Sequence, residues 1–220
     1  GAVLGAVKAA FERPPQGRST RGYTSQVTYG QLLLALIYDE GECSTRDGAL
    51  VAAVAAVHAS FGSILNALDE RLSRQLQVLD LACRVERPAA RQELETRGLL
   101  PFLSKVCELE NAVAPMTKCS SQQHLEVSGS LQELGVGHRL EERLLPYVAD
   151  VRVWPGGGRR LIEVDGPLHF IGGSGRYDMK SSLKHRLLSK QGWQVHHIAW
   201  NDWPAQRHRR LNYVARLLRS

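Results

Sequence analysis

Leu161-Ile-Glu-Val-Asp-Gly-Pro-Leu-His-Phe170 is the stretch on which the reading of this chain turns. It starts as a short apolar run carrying two carboxylates, Glu163 and Asp165. It breaks at Gly166-Pro167, and His169 follows. Residues two apart in a strand share a face at about 7 Å. Glu163 and Asp165 should therefore project together at the end of a strand, with His169 just past the turn. Acids are poor strand formers, so something must compensate for two of them there. A metal, a hydrogen-bond network and a nucleic-acid site are the candidates.

The elements around this stretch define an α/β module. Val148–Trp154 reads as a strand, Pro155-Gly-Gly-Gly158 as a tight connection and Arg160–Asp165 as the next strand, which together signal a hairpin. Gly172-Gly-Ser-Gly175 reads as a flexible loop. Asp178 can cap a helix with the apolar stripe Met179, Leu183, Leu187, closed by Gly192 at C′. Trp193–Trp200 is then a third strand, parallel to the second through a right-handed crossover. Asp202 and Pro204 start a last helix carrying Leu211, Val214, Ala215 and Leu218. Upstream, His138–Leu145 reads as a short helix.

Residues 26–137 read as helical. Thr28 can cap a helix carrying Leu32, Leu33, Leu36 and Ile37. Arg46–Phe61 is Ala/Val-rich and should be buried, and Ser63–Val85 has apolar residues at spacings of three and four. Pro88 can open a helix and Gly98 close it, and Leu99–Leu109 and Ser121–Leu134 complete the set. Short loops imply antiparallel hairpins, in a bundle or a repeat-like array, although no repeat period stands out. His58 and His124 are lone helical histidines, expected to be structural. Residues 1–25 read as a flexible arm: an Ala/Val-rich start that can form a short helix, then Arg13–Gly22 with three arginines. The overall class is α+β, with an all-α N-terminal region and an α/β module at 138–220.

The 220 residues carry a formal charge of +6. That charge is uneven. From His138 to Ser220 there are 15 Lys/Arg against 7 Asp/Glu, and before His138 there are 13 against 15. All four tryptophans lie in the basic part. Basic excess with aromatics points to nucleic acid or, equally, to solubility alone. No run is long enough to cross a bilayer, so no membrane role is expected. Cys43, Cys83, Cys107 and Cys119 form no C-x-x-C pair and read as reduced thiols. A chain beginning with Gly is expected to be processed or partial, with any leader outside view.

Ile162-Glu-Val-Asp-Gly-Pro-Leu-His-Phe170, Leu187-Leu188, Gly192-Trp193-x-Val195, Ile198 and Trp203 together resemble a RAP domain over about 138–218. RAP domains of the FAST-kinase-like family sit behind a helical region and are associated with RNA metabolism in mitochondria, plastids and apicomplexan parasites. The resemblance therefore implies a mitochondrial or plastid location. The module also resembles the restriction-endonuclease-like fold, especially the very-short-patch-repair endonucleases. There, two acids on adjacent strands bind Mg²⁺ and a Lys two residues after the second positions water. Asp150 and Glu163 match the acids, but the lysine position holds Asp165.

Three readings stay open. The first is a non-catalytic RNA-binding protein in a ribonucleoprotein such as an organellar ribosome. Its helical part would dock on neighbouring proteins, and it would need no cofactor. Arg160, Lys180, Lys184, Arg186, Lys190, Arg207, Arg209 and Arg210 would then contact phosphates, and Tyr177 or Trp200 would stack on bases, with Trp193 in the core. The second is an Mg²⁺-dependent endoribonuclease with Asp150, Glu163 and Asp165 as ligands and His169 as base. The third is a protein-interaction module with a basic face. If the acids are structural, Asp165 should accept from the turn backbone and Glu163 should pair with Arg152 or Arg160.

Overall fold

The computed structural model describes residues 20–38, 43–109, 121–154, 158–172 and 174–219. The expected helix at 1–10, most of the basic arm, Cys119 and the Pro155–Gly157 part of the hairpin connection lie outside those residues. The chain divides into two compact units, Gly1–Ala114 and Pro115–Ser220. The class is α+β, with a four-stranded mixed sheet in the second unit.

The first unit holds α1 (Thr20–Tyr38), α2 (Ser44–Phe61), α3 (Glu70–Glu86), α4 (Pro88–Thr96) and α5 (Leu100–Cys107). Helix α1 packs on α2 and α3, α2 on α4, and α3 on α4 and α5. Contacts between neighbours and next neighbours are the pattern of stacked helical pairs. Leu33, Ile37, Leu50, Val54, Val57, Leu72, Leu76 and Leu79 form its buried interior. Gly30 permits a close approach, since a Cβ there would meet the Gln75 amide at 1.6 Å.

Two expectations are corrected in this unit. Helix α1 begins at Thr20, so Thr28 lies inside it and the backbone of Thr20–Ser25 is helical. The single helix expected over Ser63–Val85 is two pieces, a 3₁₀ turn at Leu65–Ala67 and then α3. Asp69 makes the break. It is extended, and its carboxylate accepts from the Leu72 N–H at 2.7 Å. Capping satisfies an otherwise orphaned helix donor. The Gln26 amide pins the break by accepting from Asp69 N at 2.7 Å and donating to Ala67 O at 3.0 Å.

The second unit runs α6 (Gln122–Glu133), β1 (His138–Leu144), β2 (Tyr147–Val153), β3 (Arg160–Asp165), α7 (Met179–Lys190), β4 (Gln194–Ala199) and α8 (Arg207–Leu217). Strand order is β1-β2-β3-β4. The β1–β2 and β2–β3 pairings are antiparallel and β3–β4 is parallel; the last two are as the hairpin and the crossover predict. The expected helix at His138–Leu145 is strand β1. Its Arg, Glu and Leu residues favour helix locally, but pairing with β2 from His138↔Val153 to Leu144↔Tyr147 prevails. The expected boundary at 137/138 also moves. Helix α6 belongs to this unit because Val127 and Leu131 pack with Val151, Val153, Ile162, Ile198 and Val214.

The other sheet face carries Ala149, Leu161, Leu188 and Trp193 under α7. Val151 and Val153 face α6 and α8 whereas Tyr147 and Ala149 face α7. Strict alternation would put all four on one face, so β2 changes sides at Asp150. Strand β1 changes sides opposite it, between Leu140 and Leu144. The residue between, Glu141, has φ +52°. A non-glycine residue in that region is strained, and such kinks re-aim side chains. His124 of α6 braces the kink, with Nε2 2.9 Å from Asp150 O and Nδ1 3.6 Å from the Glu141 carboxylate. His124 is thus structural. Among the described residues no helix is long and apolar enough to cross a membrane.

Candidate functional site

The kink decides where Asp150 points. Strands β2 and β3 pair only from Val151↔Ile162 to Val153↔Arg160. Beyond Val151 they separate, and the Asp150 carboxylate accepts from the Val164 N–H at 2.7 Å. Glu163 and Asp165 share the α7 side of β3, and both are buried. Glu163 meets the ammonium of Lys184, which reaches over from α7 and also donates to Val148 O at 2.8 Å. Lys184 therefore supplies the cation missing from the strand position, and at the same time ties both separating strands to α7.

Burial pushes the Glu163 carboxyl up to about 7; Lys184 pulls it down, while Asp150 and Asp165 add to the rise. Asp165 behaves oppositely. Burial raises it, but the hydrogen bond and charge of His197, with Tyr177 and His169, outweigh burial and hold it below the usual carboxylate range. Its Oδ2 accepts from His197 Nδ1 at 2.6 Å and from the Tyr177 hydroxyl at 2.9 Å. His197 Nε2 in turn lies 2.7 Å from His185 Nδ1 on α7. His169 Nδ1 is 3.0 Å from Ser181 Oγ and 3.6 Å from Asp165 Oδ1. The structural partners expected for the acids are corrected accordingly. Arg152 pairs with Glu142 at 2.7 Å, and Arg160 donates to Leu218 O. Asp165 takes side-chain donors instead of the turn backbone.

A hard cation needs several carboxylate or carbonyl oxygens converging on one point. The three acids instead answer to three different protein partners. A single orphaned oxygen, Glu163 Oε1, is not a coordination shell. Among the described residues no group of three or more His, Cys, Asp or Glu is arranged to hold a metal ion. As they stand, these residues do not fit Mg²⁺.

The basic residues sort into two groups. Lys180, Lys190, Arg207 and Arg209 are exposed, with Arg207 also pairing Glu133 at 2.8 Å. The others serve the fold. Lys184 and Arg160 are engaged as above, and Arg186 is half-buried with a partner inside the protein. Arg210 lies over Trp203, donates to Pro204 O at 2.7 Å and pairs Glu126 at 3.0 Å. Tyr177 is unavailable as a stacking platform, because Phe170 covers it at 4.7 Å and its hydroxyl is on Asp165. Trp200 is 52% exposed, and Leu168, Ile171 and Met179 are also exposed. Met179 therefore leaves the stripe expected for α7, where Leu183, Leu187 and Leu188 are buried instead. Trp193 is core, as expected.

Sequence reasoning passed over His185 and His197. The parallel crossover carried the signal: it sets His197 beside Glu163 in register, and Ser181, Lys184 and His185 come to the sheet from α7. Cys43, Cys83 and Cys107 are free thiols. Burial pushes the Cys83 thiol up to about 12, so it is inert.

No curated protein matches the chain. Residues 162–217, which hold most of β3 with α7, β4 and α8 and carry Glu163, Asp165, Lys184, His185 and His197, match the family model of the RAP domain.

Proposed function

We propose that this chain is an RNA-binding protein of organellar RNA metabolism. It works without catalysis or cofactor, as a component of a ribonucleoprotein such as a mitochondrial ribosome. The RAP match at 162–217 carries the reading, since RAP domains are associated with RNA. The basic surface supports it. Lys180 and Lys190 on α7 and Arg207 and Arg209 on α8 offer exposed cations to phosphates, which supply affinity without sequence information. The helical unit would meet neighbouring proteins of the assembly, in a mitochondrion or plastid.

A metal-dependent endoribonuclease is the second reading. The observation in its favour is the Lys184–Glu163 pair, an acid and a lysine brought together beside Asp150. Against it stands the engagement of all three acids by protein partners.

The test is a salt titration of single-stranded RNA binding. Each lost phosphate contact should reduce the log–log slope by about 0.7 for a single strand. Lys180→Ala, Lys190→Ala and Arg209→Ala combined should therefore flatten it by up to about 2 and weaken binding on every sequence alike. An unchanged slope would show that these cations are only solvated, and absence of RNA binding by the wild type would overturn the reading.

A further inference from the structure

The hydrogen bonds around Asp165 fix which ring nitrogens carry protons. Asp165 is a carboxylate and can only accept, so His197 Nδ1 must donate to it. In the His197 tautomer that Asp165 selects, Nε2 holds the lone pair and accepts from His185 Nδ1–H at 2.7 Å. That leaves the outer nitrogen of His185, Nε2, as a bare acceptor on an exposed residue of α7. Burial and the neighbouring His197 hold the His185 ring below its ordinary pKa, which favours the neutral form.

An outward acceptor with a fixed tautomer is unusual on a surface rich in donors. Phosphates, which accept only, are drawn to Lys180 and its neighbours and have nothing to gain from this atom. A ligand hydroxyl can donate to it. Single-stranded RNA presents such a group at every ribose. The surroundings suit a single strand. The backbone N–H of Trp200, whose side chain is exposed, bonds to Asp165 O at 2.9 Å, which places Trp200 just past the strand end that carries Asp165. Asp165 and Trp200 lie at the carboxyl end of the parallel pair β3–β4, where open sheets of this kind hold their ligands.

We infer that His185 Nε2 accepts a hydrogen bond from a ribose 2′-OH of single-stranded RNA, so that the Asp165–His197–His185 chain is the element that distinguishes RNA from DNA. This rests on the RNA-binding reading above. Asp165 and His197 are positioning residues, and His185 is the contact.

The experiment measures binding of the full chain, at mildly alkaline pH, to three oligonucleotides of one sequence: RNA, DNA and 2′-O-methyl RNA. One hydrogen bond should favour RNA over the other two by about three- to ten-fold. His185→Ala should bring RNA down to the DNA affinity and leave DNA unchanged. His185→Gln, which keeps an acceptor, should retain part of the preference. Tryptophan fluorescence checks that each variant is folded. Equal binding of RNA and DNA by the wild type overturns the inference and leaves nucleic-acid binding standing. So does an RNA preference that survives His185→Ala. Failure to bind any oligonucleotide overturns the RNA reading and the inference with it.

Discussion

Lys184→Met should destabilise the C-terminal unit by about 3–5 kcal/mol above neutral pH, the range found when one partner of a buried ion pair is removed. Glu163 is 3% exposed, and without Lys184 its charge has no counterion from α7. The sign of the pH dependence follows from the carboxyl itself. Its ordinary value is 4.5, and in the folded chain it stands at about 7. The folded state thus holds this proton more tightly than the unfolded state. Its contribution to stability is full at pH values below 4.5 and declines as pH rises from there to about 7. Losing Lys184 raises the folded value further, so the decline becomes larger and continues to higher pH. Below 4.5 the acid is neutral in both states, and the variant loses only packing and the bond to Val148 O. All four tryptophans lie at 154–203, so denaturation followed by their fluorescence reports on this unit. An equal loss at acid and alkaline pH would show that the Lys184–Glu163 charge pair is not what holds β2, β3 and α7 together.

The second large effect is in the helical unit. Arg87 is 1% exposed and its guanidinium meets Asp47 at 2.8 Å, tying the start of α2 to the α3–α4 junction. Asp47→Ala leaves a buried guanidinium without that carboxylate and should cost about 3–5 kcal/mol. A well-packed apolar pair often replaces a buried ion pair at little net cost. The double variant Asp47→Leu, Arg87→Met should therefore recover most of the loss. Helical circular dichroism during urea unfolding measures both. A loss under about 1 kcal/mol for Asp47→Ala would mean that water or other groups already solvate Arg87.

Legibility followed the range of the interactions. Leu161–Asp165, the helix capped by Asp178 and closed by Gly192, and the parallel crossover are written in local periodicity and punctuation, and the sheet has them. Strand β1 was illegible because Glu and Arg favour helix and only its partner β2 overrides them. The kink was illegible for a different reason. Positive φ is signalled by glycine or asparagine, and here a glutamate adopts it, held by pairing and by His124. The break before α3 was readable, since Asp69 ahead of Glu70-Arg71-Leu72 is an N-cap signature, but the apolar spacing ran through it. At the site, the acids were visible and their partners were not. Lys184 lies 21 residues from Glu163 and His197 lies 32 from Asp165. Only the fold brings those partners to the acids.

The most direct test of the whole account is one binding reaction. The full chain is incubated with labelled single-stranded RNA in Mg²⁺ or in chelator, and both complex and product length are read. The account predicts salt-sensitive complex formation in both conditions, with the RNA intact, because the acids at 150, 163 and 165 are already engaged by Val164, Lys184 and His197. Mg²⁺-dependent cleavage that Asp150→Asn abolishes would contradict it.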